Sequence, residues 1–291
     1  MIYDVLVSNP FSTASSLLIL FSIVSLWIKQ DVRIWGILAI VAIGLAVFSN
    51  RMGMVGILAV LTLGLVYLLF ENSESFFIRM IACGLIIVLS VSLAIHIVPG
   101  FNNWKMFESV TLGKTGTAFD MFFNQDKAFV GLIILGFGFP LVKKKEEWFS
   151  VFRTAIPILM IALLVISPLS YLFGYTTWDV KFTELFFIWG IGNLLVTCVG
   201  EEAFFRAFLQ RNLSARLQRY TYGNVISIAV ISVLFGVAHF AGGIQYIVLA
   251  TLAGIAYGVS YHITQKIEAA ILCHFGVNAF RFIFLSFPSL G

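Results

Sequence analysis

The sequence predicts an all-α fold, a polytopic transmembrane helix bundle with about eight to ten spans, and three observations carry that prediction. Of its 291 residues, 60% are hydrophobic and 11% are charged, with Phe alone supplying 30. Soluble chains carry about 25% charged residues, so this chain has too little polar surface to face water. The apolar residues run uninterrupted, without the period-2 alternation of a barrel strand, so each spanning element is a helix. Soluble enzyme folds, nucleic-acid modules and disordered tails are excluded on the same grounds.

A span needs roughly 20 apolar residues. The runs lie at 11–28, 34–49, 52–70, 76–98, 128–142, 153–173, 182–210, 224–243, 245–262 and 267–287. Those at 34–49 and 128–142 are short for a full span and fit a tilted or re-entrant helix. The N-terminus, Met-Ile-Tyr-Asp, has no basic segment before the first run, which is therefore expected to remain as a helix. One polar connector is long, from Pro99 to Lys127, with Asn102, Asn103, Thr111, Gly113, Gly116 and Thr117 beside aromatics. It is expected to form a partly ordered loop. It separates an N-terminal four-helix membrane region with its polar loop, residues 1–127, from a C-terminal membrane bundle, residues 128–291.

Eighteen basic residues against fourteen acidic give a net charge of +4. The positive charges sit in loops, so they report membrane orientation and not a nucleic-acid partner. Lys143, Lys144 and Lys145, with Arg211, Arg216 and Arg219, fall on one side, which places both termini outside. Cys83, Cys198 and Cys273 all lie in apolar runs and read as small apolar fillers.

An ionisable group inside a span costs about 2.5 to 3.5 kcal/mol on insertion scales, and such groups usually face the interior and mark a site. That filter leaves Glu201, Glu202 and Arg206 in one helix, His239 in the next, and His274, Asn278 and Arg281 in the last. Glu202 and Arg206 stand four apart, with the acid N-terminal to the base, the favourable order for a helical ion pair. Glu201 lies about 100° around the helix. Away from the arginine, and buried without a cationic partner, it suits a general base. His239 follows Phe235-Gly236-Val237-Ala238, whose small residues allow close approach of another helix. His274 and Asn278, also four apart, share one face. His96 and His262 read as interfacial caps or hydrogen-bond donors, while Arg281 either anchors its helix or contacts substrate.

The series Glu201-Glu202-x-x-x-Arg206, Phe235-x-x-x-His239, His274-x-x-x-Asn278 resembles the three-motif signature of the CAAX-processing and bacteriocin-processing membrane protease family. This family, also called CPBP or ABI, includes the type II CAAX prenyl endopeptidases. The resemblance places a protease core at about 182–287. It implies an intramembrane glutamic endopeptidase without a cofactor, acting on a membrane-associated peptide or protein in a prokaryotic plasma membrane. In that reading Glu201 activates water, His239 helps hold it, His274 and Asn278 stabilise the oxyanion, and Glu202 with Arg206 supports the helix.

Other protease chemistries lack their motifs: there is no His-Glu-x-x-His run, no Gly-x-Ser-x-Gly elbow and no pair of intramembrane aspartates. Two alternatives stay open. Glu201, His239 and His274 form a ligand set for a three-ligand zinc site, and a non-catalytic scaffold or chaperone could retain the protease fold. A transporter would need inverted repeats or paired broken helices, which the sequence does not show. Along ideal helices, His239 would lie about 22 Å and His274 about 10 Å from the inner face. With Glu201 about 15 Å deep, bringing the three level needs tilt, a break near Gly242 and Gly243, or helix starts one turn away from those read here.

Overall fold

The apolar runs of the sequence are helices in the computed structural model, which describes residues 2–113 and 118–286. Gly116, Thr117 and position 287, the end of the last run, lie outside the described residues. The helices are α1 (Ile2–Ser8), α2 (Pro10–Ile28), α3 (Val32–Phe48), α4 (Met54–Asn72), α5 (Phe76–Ala94), α6 (Gln125–Gly136), α7 (Lys145–Leu172), α8 (Leu185–Gly192), α9 (Val199–Glu202), α10 (Arg211–Leu217), α11 (Gly223–Val237), α12 (Gly243–Thr264) and α13 (Ile267–Phe284). Two π-helical stretches, Asn193–Cys198 and Ala203–Gln210, join α8, α9 and α10 into one helical rod, Leu185–Leu217.

Among the described residues, seven helical segments are long and apolar enough to cross a membrane: α2, α4, α5, α7, the rod, Phe240–Thr264 and α13. The other three predicted runs are helical but short, with 17 residues in α3, 12 in α6 and 15 in α11. Isoleucine, leucine and valine face outward along these helices, among them Ile40, Leu65, Val88 and Leu164. A surface of that kind is solvated by lipid, and the chain is an integral membrane protein.

The polar connector is more ordered than its composition suggests. Strands β1 (Trp104–Thr111) and β2 (Ala118–Phe123) pair into a two-stranded sheet. Trp104, Met106, Phe107, Met121 and Phe123 are buried, while Lys105 pairs with Asp120 at 3.0 Å. Burial of these apolar side chains and a cross-strand ion pair stabilise the strands where the abundance of Gly, Asn and Thr suggests a loop.

The chain divides into two units, each discontinuous in sequence. The first comprises residues 1–108, 120–140 and 195–204. Within it, α2 buries a serine face (Ser12, Ser15, Ser16, Ser22 and Ser25) and α3 buries Ala39, Ala42 and Ala46. Ser15 Oγ donates to the Ala42 carbonyl at 2.8 Å and Ser22 Oγ to that of Trp35 at 2.7 Å. Small residues let the two backbones approach, and the hydroxyls join them.

Helix α6 is the core of this unit, packed against α2, α4 and α5, and apart from Lys127 every residue in it is buried. Its polar first turn is held by neighbours. Asp126, fully buried, accepts from Asn103 Nδ2 at 3.0 Å and lies 2.7 Å from His96 Nδ1. Asn103 Oδ1 accepts from the Gln125 amide at 2.9 Å, and Gln125 Nε2 donates to Ser15 Oγ at 3.2 Å. His96 thus acts as the polar partner its sequence position suggests.

The second unit comprises residues 109–119, 141–194 and 205–291. Here α7 packs on α12 and α13, and α11 on α12. Glycines set the close approaches. A Cβ on Gly236 would lie 2.0 Å from Thr251 Oγ1 and 2.6 Å from the Ile247 carbonyl, and one on Gly276 would lie 2.3 Å from Leu159 Cδ2. At the start of α7, Glu147 accepts from the amides of Lys143 and Lys144, at 2.9 and 3.1 Å, and holds the Lys266 ammonium at 2.6 Å. Of the alternatives that could bring the two histidines level, a break near Gly242 and Gly243 is present. Helix α11 ends at Val237, a 3-10 turn spans Phe240–Gly242, and Gly243 opens α12 at φ +81°.

Candidate active site

Glu201 and Glu202 stand on α9, one turn of α-helix set between π-helical stretches of six and eight residues. π-helix is rare and occurs frequently at functional sites. The side chains of both acids are withdrawn from the surface, Glu202 completely. The approach of α9 to α6 is set by two glycines within the first unit. A Cβ on Gly200 would lie 2.9 Å from the Lys127 carbonyl, and one on Gly131 would lie 3.0 Å from Gly200 Cα.

That approach corrects one expectation. Glu201 does have a cationic partner, since Lys127 Nζ donates to its Oε1 at 3.0 Å. The two side chains retain 15% and 11% of their surface, so the pair is largely screened from solvent. Intrahelical spacing from Glu201 could not show a partner 74 residues earlier.

Arg206, His239, His274 and Asn278 belong to the second unit, the first three of them gathered around Phe235. Its ring centroid lies 4.7 Å from that of His239 and 5.7 Å from that of His274. The Arg206 guanidinium sits 5.1 Å from the same centroid, with the Phe205 and Tyr257 rings at 5.8 and 5.7 Å. Fully buried, Arg206 donates from Nη2 to the Gly254 carbonyl at 2.8 Å, and four residues on Gln210 donates to the Gly258 carbonyl at 2.9 Å. A guanidinium among three aromatic rings keeps favourable electrostatics in an apolar setting.

His239 Nδ1 lies 2.8 Å from the Phe235 carbonyl. His274 is buried and stacks on Tyr257, with centroids 4.5 Å apart and planes at 14°. One turn later, Asn278 Nδ2 donates to Asn193 Oδ1 at 3.2 Å. Arg281, another turn on, donates to the Tyr246 hydroxyl at 3.0 Å, and the Tyr246 ring in turn meets His239 edge-on at 5.4 Å. Arg281 therefore anchors a ring that borders a motif histidine.

The structure brings His239 and His274 to a shared aromatic neighbour and sets Asn278 one turn from His274. It puts Glu201 against Lys127. Four neighbours escaped the sequence reading: Lys127, Asn193, Tyr246 and Tyr257. Asn193 had a legible signal, an amide inside an apolar run, but a filter for ionisable groups passes over it. Among the described residues, no three His, Cys, Asp or Glu side chains are grouped so as to hold a metal ion.

No curated protein and no solved structure matches the chain. The family described as type II CAAX prenyl endopeptidase Rce1-like matches residues 183–280, about a third of the chain, and all three motifs fall within the match. The resemblance carried by Glu201-Glu202-x-x-x-Arg206, Phe235-x-x-x-His239 and His274-x-x-x-Asn278 is thus one to the Rce1-like, type II CAAX prenyl endopeptidase branch of the CPBP proteases.

Proposed function

We propose that this protein is an intramembrane endopeptidase in which Glu201 takes a proton from the attacking water. His239 helps hold that water, and His274 and Asn278 donate to the oxyanion. Each such donor is worth about 2.7 to 4 kcal/mol in the transition state. Glu202 and Arg206 support the helix that carries the acid. The substrate is a membrane-associated peptide or protein, and the protein works in a prokaryotic plasma membrane with Lys143–Lys145 on the inner side.

The observation carrying this reading is the complete, ordered set of three motifs inside the matched region, two of whose histidines meet the ring of Phe235. The neighbouring groups also suit the roles. A carbonyl only accepts, so the Phe235 contact puts the proton of neutral His239 on Nδ1 and makes Nε2 an acceptor for a water proton. A carboxamide carries two N–H donors, so the bond from Asn278 to Asn193 orients the group and is compatible with donation to an oxyanion.

The test is Glu201→Gln, purified in detergent. The amide is nearly isosteric but cannot take the proton, so cleavage is lost when variant and wild type are compared at equal folded fraction. Substantial activity in the purified variant would remove Glu201 as the base. A second reading, a non-catalytic scaffold, draws on the Lys127–Glu201 ion pair, since a paired carboxylate can serve structure alone. A scaffold tolerates Lys127→Met/Glu201→Gln, which leaves neither charge buried alone, in its cellular role, and a protease does not.

A further inference from the structure

The matched region supplies every motif residue but not the cation that touches the proposed base. Lys127 lies outside residues 183–280, on α6, and its ammonium meets Glu201 Oε1 at 3.0 Å. Three features hold it there, all within the first unit. Gly131, one turn after Lys127, and Gly200, immediately before Glu201, let the backbones of α6 and α9 meet without side chains between them. The preceding residue, Asp126, is gripped by His96 and Asn103, which fixes the first turn of α6. The Lys127 amide donates to Asp126 Oδ1 at 2.9 Å, closing the turn on the lysine itself. Both partners are largely buried, and the contact is made by one carboxylate oxygen rather than two.

A Glu side chain has three rotatable bonds, and a general base works only when its oxygen is held within hydrogen-bond reach of the proton it takes. An ammonium fixed on a packed helix and bound to Oε1 defines where the carboxylate lies. We infer that Lys127 is a positioning residue for Glu201, so that the N-terminal part of the chain, which carries no family motif, helps set the geometry of the catalytic acid. This inference rests on the function proposed above.

The experiment uses the full chain in detergent and an internally quenched peptide ending in a farnesylated cysteine and three further residues. Wild type is compared with Lys127→Met, Lys127→Arg, Glu201→Gln and the double variant Lys127→Met/Glu201→Gln. Lys127→Met is expected to lower kcat by about 10²-fold, the scale of a 1 Å misplacement, with KM unchanged and most molecules folded. Lys127→Arg, which restores the cation, recovers most of the rate. The thermal midpoints of Lys127→Met, Glu201→Gln and the double variant are non-additive, because removing both charges leaves neither buried alone.

A folded Lys127→Met with wild-type kcat overturns the inference, as does an effect confined to KM, or a Lys127→Arg as slow as Lys127→Met. Should Lys127→Met fail to fold, recovery of folded yield in the double variant supports the pair and absence of recovery overturns it. Activity in Glu201→Gln, or a wild type that leaves the peptide intact, counts instead against the proposed function. Additive thermal midpoints count against the pair alone.

Discussion

The Phe235 carbonyl and the Nδ1 atom of His239 are 2.8 Å apart, one helical turn separating the two residues. The bond ties the tautomer of the ring to the backbone of α11, so the acceptor nitrogen is set by local helix geometry and needs no carboxylate to orient it. A water proton directed at Nε2 has its place decided by that turn. His239→Ala is therefore expected to lower kcat by about 10² to 10⁴, the range for a positioned acid–base group. Purified variant and wild type are compared at equal folded fraction, and an unchanged kcat would take His239 out of the reaction.

Asn278 is oriented by Asn193, and the two should separate kinetically. Asn278→Ala is expected to slow cleavage by about 10² to 10³, mainly through kcat, as for loss of a donor used in the transition state. Asn193→Ala leaves the donor in place but unoriented, so it should cost less. Steady-state kinetics on the two variants reads the difference, and a larger loss from Asn193 than from Asn278 would reverse their roles.

Arg206 and Glu202 are both fully buried. Arg206→Ala removes a guanidinium that donates to Gly254 and faces three rings. If the two charges pair as their spacing suggests, either alanine variant costs about 3 to 5 kcal/mol. Glu201→Gln, whose amide oxygen can still accept from Lys127, should cost less. Thermal unfolding in detergent ranks the three, and equal midpoints would count against the pairing.

At Gly236 an added methyl would lie 2.6 Å from a backbone carbonyl of α12, and no rotamer change relieves that clash. Gly236→Ala is expected to destabilise by about 1 to 3 kcal/mol, the usual cost of overpacking. Because His239 stands three residues on, just past the end of α11, activity should fall with it. Folded yield by size-exclusion chromatography is the readout, and a wild-type yield would show that α11 and α12 can move apart cheaply.

Catalysis by Glu201 with His274 and Asn278 as donors needs N–H groups aimed at the oxyanion, whereas a zinc ligand needs a bare nitrogen. At His274 the two demands exclude each other. Exhaustive chelation is expected to leave the rate unchanged. Stoichiometric zinc in active protein, with activity lost on its removal and restored on its return, would favour a metalloprotease built from the same residues.

The bundle was legible because a helix that crosses lipid must satisfy its backbone internally, which makes hydropathy a direct reading of element position. Among the described residues each of the ten runs contains a helix, those at 128–142 and 224–243 over part of their length. The motif residues were legible for the same reason, since a charge or imidazole is conspicuous against an apolar run. Lys127 was not. It stands where a polar connector gives way to a helix, and there a lysine looks like any loop cation until the fold brings Glu201 to it. Tyr257 and Tyr246 were hidden because an aromatic in an apolar run carries no signal of what it touches. The strands β1 and β2 were missed because their burial is tertiary, and their Gly, Asn and Thr neighbours pointed to a loop.

The serial arrangement of the first unit bears on how the protein is made. Residues 195–204 complete a unit whose other pieces end at residue 140. During synthesis, α6 therefore leaves the ribosome well before its acidic partner exists. Helix α6 has 12 residues and a length of about 18 Å, too short to cross a bilayer about 30 Å thick. Its lysine would be expensive in hydrocarbon without the carboxylate, but a long lysine stem can keep its head at the interface. Insertion of α6 is therefore expected to be late, after α9 has been translated. A nascent chain arrested before residue 201 should carry Lys127 accessible to water-soluble amine reagents, whereas in the finished protein that ammonium is shielded.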